Sequence, residues 1–149
     1  MRATAECVID TTILQKANAP LLRPPRKGAF FHKRVNLLRR IQDGRQRALI
    51  SRQLLAEYER RIPAPRNDFV GAFLAMIVVP GRCVWNWEKS WSGGKRDQAR
   101  RCRYPSEDDH VLRTAIRSHP TTIYTEEERM LRADACIYRV FRVHIRLPS

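Results

Sequence analysis

The chain has 149 residues, with 29 Lys plus Arg against 15 Asp plus Glu and a net charge of +14. That length suits one domain with a real core, and 43% hydrophobic content is ordinary for a globular protein. No apolar run approaches the ~20 residues of a membrane span. No apolar signal-peptide core follows the start either, so the expectation is a cytoplasmic protein without a membrane partner.

Taken in chain order, Glu6 to Ile9 reads as a buried first strand with Asp10-Thr11-Thr12 as its exit turn. Residues 17–28 hold Pro20, Pro24, Pro25 and Gly28 and read as a loop. Phe31, Val35, Leu38 and Ile41 recur at helical spacing, Asp43-Gly44 ends that helix, and Gln46 to Ile50 forms a second strand. Ser51 is an N-cap for a helix whose apolar stripe is Leu54, Leu55, Tyr58 and Ile62, stopped by Pro63 and Pro65. Phe69 to Ile77 reads as a helix.

Between residues 82 and 105 the pattern is least regular. Cys83, Trp85 and Trp87 alternate with polar neighbours as in a strand, and Ser92-Gly93-Gly94 breaks the pattern. The basic run Lys95, Arg96, Arg100, Arg101 and Arg103 follows. Ser106 opens a helix with Val111, Leu112, Ala115 and Ile116 inside. Thr121 to Thr125 is a strand, Glu127 to Arg132 a short helix, and Ile137 to Ile145 a last strand. Strands alternating with helices predict an α/β fold with a mostly parallel sheet. The cysteines Cys7, Cys83, Cys102 and Cys136 show neither a Cys-x-x-Cys pair nor zinc-ligand spacing, which predicts buried, reduced thiols.

Four acidic residues stand where strands or helices end or turn inward: Asp10, Glu57, Asp108 and Glu127. Parallel α/β sheets gather functional groups at the carboxyl ends of their strands. Hard oxygen ligands there suit Mg2+ or Mn2+ rather than zinc. Each residue also has a plain structural reading. Asp10 could hydrogen-bond in its turn, and Glu57 could pair with Arg60 or Arg61 on its own helix. Ser106-x-x-Asp109 fits a capping box that would commit Asp109 to a backbone amide, which leaves Asp108 as the inward carboxylate. Spacing selects Glu127 over Glu126 and Glu128, all three of which would favour a helix N-terminus. Thr12 and Thr125 carry hydroxyls close enough to orient a carboxylate or water. The tryptophans could stack on unpaired bases or serve as core. The basic run could track phosphates, dock an acidic segment or be solvated.

Four segments, in order, resemble the PIN-domain ribonucleases. Val8-Ile9-Asp10-Thr11-Thr12 is similar to the family's opening pattern, and Leu54-Leu55-Ala56-Glu57-Tyr58 to its second acidic segment. Asp108, seven positions before Ala115, resembles the third, and Thr125-Glu126-Glu127 the fourth. Thr12 stands where Asn or Ser is usual, Glu127 where Asp is commoner, and the segment from Gly81 to Tyr104 is unlike the family's short connection. The nearest branch is the VapC-like toxins of toxin–antitoxin pairs. The resemblance implies a three-layer α/β/α sandwich and RNA cleavage dependent on Mg2+ or Mn2+ at Asp10, Glu57, Asp108 and Glu127. Thr12, Asp109 and Thr125 would support these ligands, and Lys95, Arg96, Arg100, Arg101 and Arg103 would contact RNA. An acidic antitoxin protein and a second copy of the chain are the expected protein partners. Two rivals stay open. One is a non-catalytic PIN-like RNA-binding or interaction subunit of a larger nucleic-acid-processing or defence complex. The other is a protein whose basic surface exists to bind an acidic partner.

Overall fold

Residues 4–20, 29–86 and 91–149 are described by a computed structural model of the chain. The expectations for the Pro24-Pro25-Gly28 loop and for Trp87 lie outside these residues. Five strands, β1 (Ala5–Ile9), β2 (Gln46–Ile50), β3 (Val84–Trp85), β4 (Thr121–Tyr124) and β5 (Val143–Arg146), form one sheet in the order β3-β2-β1-β4-β5. Every pairing is parallel. Cys7, Val8 and Ile9 are fully buried on both faces of the sheet, as expected of a central parallel strand covered on each side by helices.

The helices are α1 (Thr11–Ala17), α2 (Ala29–Gln42), α3 (Arg52–Arg61), α4 (Asp68–Ile77), α5 (Gly93–Arg101), α6 (Asp109–Ala115), α7 (Glu128–Arg132) and α8 (Asp134–Phe141). Right-handed crossovers place α1 to α4 on one face, because the chain moves from β1 out to β3, and α5 to α8 on the other as it returns through β4 to β5. The contacts agree: α2 packs on α4 and β2, α6 on β1 and β4, and α8 on β5. The result is the α/β fold with a parallel sheet that the element pattern predicts, in the three-layer α/β/α form that the resemblance implies. The chain reverses direction between β1 and β4, so a crevice opens beyond their carboxyl ends, where α/β sheets bind their ligands. Among the described residues no helix is long and apolar enough to cross a membrane.

Local chemistry fixes the elements around that crevice. Ser51 caps α3 by accepting from the Leu54 amide at 3.3 Å. Tyr58, fully buried, donates its hydroxyl to the Ile9 carbonyl and so ties α3 to the end of β1. The Asn67 side chain caps α4 through the Val70 amide at 3.0 Å and donates to the carbonyls of Ala17 and Ala19. One amide thereby joins the end of α1 to the start of α4.

Three expectations need correction. The run 137–145 is not one strand: Ile137 and Phe141, one helical turn apart, pack inward from α8, and Arg142 at φ 61° stops the helix before β5. Asp10-Thr11-Thr12 is not a free turn, because α1 starts at Thr11. The cysteines are not all reduced: Cys102 and Cys136 form a disulfide with Cα atoms 5.4 Å apart, while Cys7 and Cys83 are free and buried. Their 34-residue separation carries no spacing signal, since only the packing of the α5 end against α8 brings them together.

Closing a loop of that length stabilises a fold by about 2–4 kcal/mol, chiefly through the unfolded chain. The expected outcome is that Cys136→Ser lowers stability to urea by this order. Titration of the denatured, unreduced wild type should find two thiols, as for Cys7 and Cys83. Four titratable thiols would contradict the pairing.

Candidate functional site

Asp10 occupies the N-cap of α1, where an Asp side chain normally accepts from the second or third backbone amide of the helix. Here it makes no such bond. Its Oδ2 accepts instead from the hydroxyls of Thr125, at 2.7 Å, and Thr12, at 3.0 Å. The carboxylate is thus turned into the crevice between β1 and β4. With 3% exposure it is nearly out of water. Burial pushes its proton affinity up, the two hydroxyls pull it back, and nearby Glu57 raises it again; the net shift is upward.

Glu57 projects from α3 towards the same place. It is paired with His110 through Nε2 and, at 3.8 Å, with Arg61. The His110 bond is the main reason its carboxyl is held below the usual range. Burial works against a charged His110, but the Glu57 bond and the fields of Asp108 and Asp10 outweigh it, so its affinity for a proton rises. The Thr11 hydroxyl also lowers the Glu57 carboxyl, yet it is buried and makes no hydrogen bond of normal geometry.

Asp108 closes a 3-10 turn (Ser106–Asp108) just before α6. The Tyr104 hydroxyl donates to its backbone carbonyl at 2.7 Å, which leaves the carboxylate without that donor. Burial, then the charges of Asp10 and Glu107, push the carboxyl up to about 7. Asp10, Glu57 and Asp108 therefore come from three separate segments and feel one another's charge.

The remaining acidic candidates are each paired with a basic side chain. Glu127 caps α7 and is bonded to the Arg129 Nε at 3.0 Å. Arg129 also holds Glu107. Glu126 is gripped by Arg34 at 2.6 and 2.7 Å and by Lys16 at 3.3 Å. Glu128 pairs with Arg132 on the surface. Asp109 is paired with Arg100 rather than with a backbone amide, so the capping box expected from Ser106 is not formed. Lys95, Arg96, Arg101 and Arg103 are exposed on and just after α5, while Arg100 is half-buried by its Asp109 contact. Trp91 stacks on Phe141, with ring centroids 6.0 Å apart, and packs against the core. Trp85 lies in β3.

Sequence reasoning missed His110, Tyr58, Tyr104 and Arg129 as parts of this region. Only His110 had a local signal, two positions after Asp108 in the same turn. The open cleft beside Glu57 and His110, about 360 Å3, is lined also by Gln53, Arg60, Asp109 and Arg113. Its mixture of carboxylates, amide and guanidinium groups suits a polar, charged ligand.

Oxygen donors of this kind match Mg2+ or Mn2+. Their arrangement does not: among the described residues no three His, Cys, Asp or Glu side chains are grouped so as to hold one ion. Compared with known proteins, the chain matches no family model, no curated protein and no solved structure. The fold is therefore established at the level of the α/β/α sandwich.

The Asp108 shift has a thermodynamic sign. An acid whose folded value lies above its unfolded 3.8 binds more protons when folded. Its contribution is complete below the unfolded value and is lost as pH rises towards and past 7. Asp108→Asn removes that loss. Relative to wild type, the variant should match at pH 4 and gain about 1 kcal/mol at pH 8, a figure reduced for solvent screening of a partly exposed group. Paired thermal melts across this range test it. A variant less stable than wild type at pH 8 would contradict the repulsion.

Proposed function

We propose that this protein is a PIN-like nucleic-acid-interacting domain acting as a binding subunit, with RNA as its ligand. The observation that carries the reading is that two of the four candidate carboxylates, and Asp109 beside them, are already paired with cationic side chains. Glu127 is engaged by Arg129, Glu57 by His110 and Asp109 by Arg100. A chain of net charge +14 that also leaves Lys95, Arg96, Arg101 and Arg103 exposed has the electrostatics of a phosphate binder.

A second reading is favoured by one specific feature. Asp10, Glu57 and Asp108 still repel one another in the crevice, and a divalent cation is the natural relief of such repulsion. Under that reading the chain is a Mg2+- or Mn2+-dependent endoribonuclease of the VapC-like kind, partnered by an acidic antitoxin. Asp10, Glu57 and Asp108 would then supply ligands, and Glu127 would have to leave Arg129 to join them.

Both readings meet in one experiment on the purified chain with single-stranded and structured RNA. The binding-subunit reading expects salt-sensitive complex formation in EDTA, unchanged by Asp10→Asn, and intact RNA after incubation with Mg2+ or Mn2+. Cleavage by the wild type that Asp10→Asn abolishes would overturn it in favour of the nuclease. Failure to bind RNA in any of these conditions would remove both.

A further inference from the structure

A second cleft, of about 380 Å3, is lined by Cys102, Arg103, Arg129, Arg132 and Ala133. We infer that it is a phosphate pocket for the backbone of a nucleic-acid strand, an assignment that rests on the nucleic-acid reading above. Three of its five lining residues carry guanidinium groups, whose planar forks match phosphate oxygens two at a time. The rest of the wall is one small methyl and the disulfide end of Cys102. The walls are mostly apolar arginine stems, and the charge selects the ligand: three cationic heads with no acid among the lining residues favour an oxyanion.

The three arginines are available to different degrees. Arg103 is exposed and has no ion pair among the described residues. Among the described residues Arg132 meets only Glu128, in a pair exposed by 73% and 79% on its two sides, the kind of surface contact that adds little stability. Arg129 is shared between Glu107 and Glu127, again near the surface. A phosphate entering the cleft competes with those carboxylates for the same guanidinium. It meets no deeply buried ion pair that would have to be broken.

Position gives the pocket its relation to the crevice. Arg103 immediately follows Cys102, which the disulfide anchors to α8. The neighbouring Tyr104 donates to the Asp108 carbonyl. Arg129 in turn reaches Glu107, the residue before Asp108. A strand with one phosphate in this cleft therefore passes beside the Asp108 turn, and its neighbouring nucleotides face the crevice. The pocket thus sets where a bound strand sits relative to the carboxylates.

The test measures the affinity of a labelled single-stranded RNA for the full chain in EDTA across a potassium chloride series. Wild type is compared with Arg103→Gln/Arg132→Gln. Both side chains are exposed, and circular dichroism with a thermal melt confirms that the variant folds. Loss of two single-strand phosphate contacts should weaken binding about tenfold and flatten the log–log salt slope by about 1.4. Unchanged affinity and slope, in a wild type that does bind, overturn the pocket and leave the nucleic-acid reading standing. No binding by wild type overturns both. Inorganic phosphate is the competing probe. Displacement of RNA only on the order of 10 mM phosphate fits a site that reads phosphate as part of a strand. Displacement at micromolar phosphate assigns the pocket to a free phosphate compound and overturns its nucleic-acid role.

Discussion

The hydrogen bond from Thr125 to Asp10, 2.7 Å long and buried, spans the place where the sheet reverses its winding. Asp10 immediately follows β1, Thr125 immediately follows β4, and these strands are neighbours in the sheet. The Asp10 amide also donates to the Tyr124 carbonyl at 2.9 Å, so backbone and side chain close the same junction. Thr125 has a second task, since its hydroxyl accepts from the Glu127 amide at 3.0 Å and shapes the start of α7. Every other group in the crevice is placed relative to this junction: Tyr58 ties α3 to Ile9, one residue before Asp10, and α6 packs against both β1 and β4.

Putting a carboxylate at that point creates an electrostatic problem, and the neighbourhood answers it unevenly. Asp10 has two hydroxyl donors, and Glu57 has His110 and Arg61. Among the described residues no hydroxyl or cation is bonded to the Asp108 carboxylate, and burial, followed by the charge of Asp10, carries its carboxyl up to about 7 against the field of His110. The surrounding arginines are mostly engaged with carboxylates just outside the crevice, as in Arg34 with Glu126 and Arg129 with Glu127. Positive charge enters the crevice only at Glu57, through His110 and Arg61, among the described residues. Under the nucleic-acid proposal, phosphates would meet the exposed basic residues on and just after α5 rather than the carboxylates of the crevice.

Much of the frame was legible in the chain itself. β1, β2 and β4 are short apolar or β-branched runs, and α2 and α3 repeat their buried residues at helical spacing. Asp10 could be placed because a strand end is a local pattern. The failures share a cause, which is that the deciding contact is distant in sequence. Cys102 meets Cys136 across 34 residues, and His110 meets Glu57 across 53. Asp109 looked like a capping residue because its local pattern is that of a cap, but Arg100 offers a charge-assisted bond and wins. The 137–145 run looked like a strand because Ile137, Val140, Phe141, Val143 and Ile145 are apolar in both periods, and only the left-handed Arg142 separates helix from strand.

The electrostatics of the crevice depend on Asp10 and Asp108 sharing one field at the end of the sheet. A carbon-13 NMR titration of the aspartate carboxyls, with Asp108 assigned by comparison with its Asn variant, measures this directly. Asp108 should titrate near 7 in the wild type. Its midpoint should fall when Asp10 becomes Asn, yet stay above 3.8 because burial is the larger cause. An Asp108 midpoint near 3.8 in the wild type, or one unmoved by Asp10→Asn, would contradict the shared field.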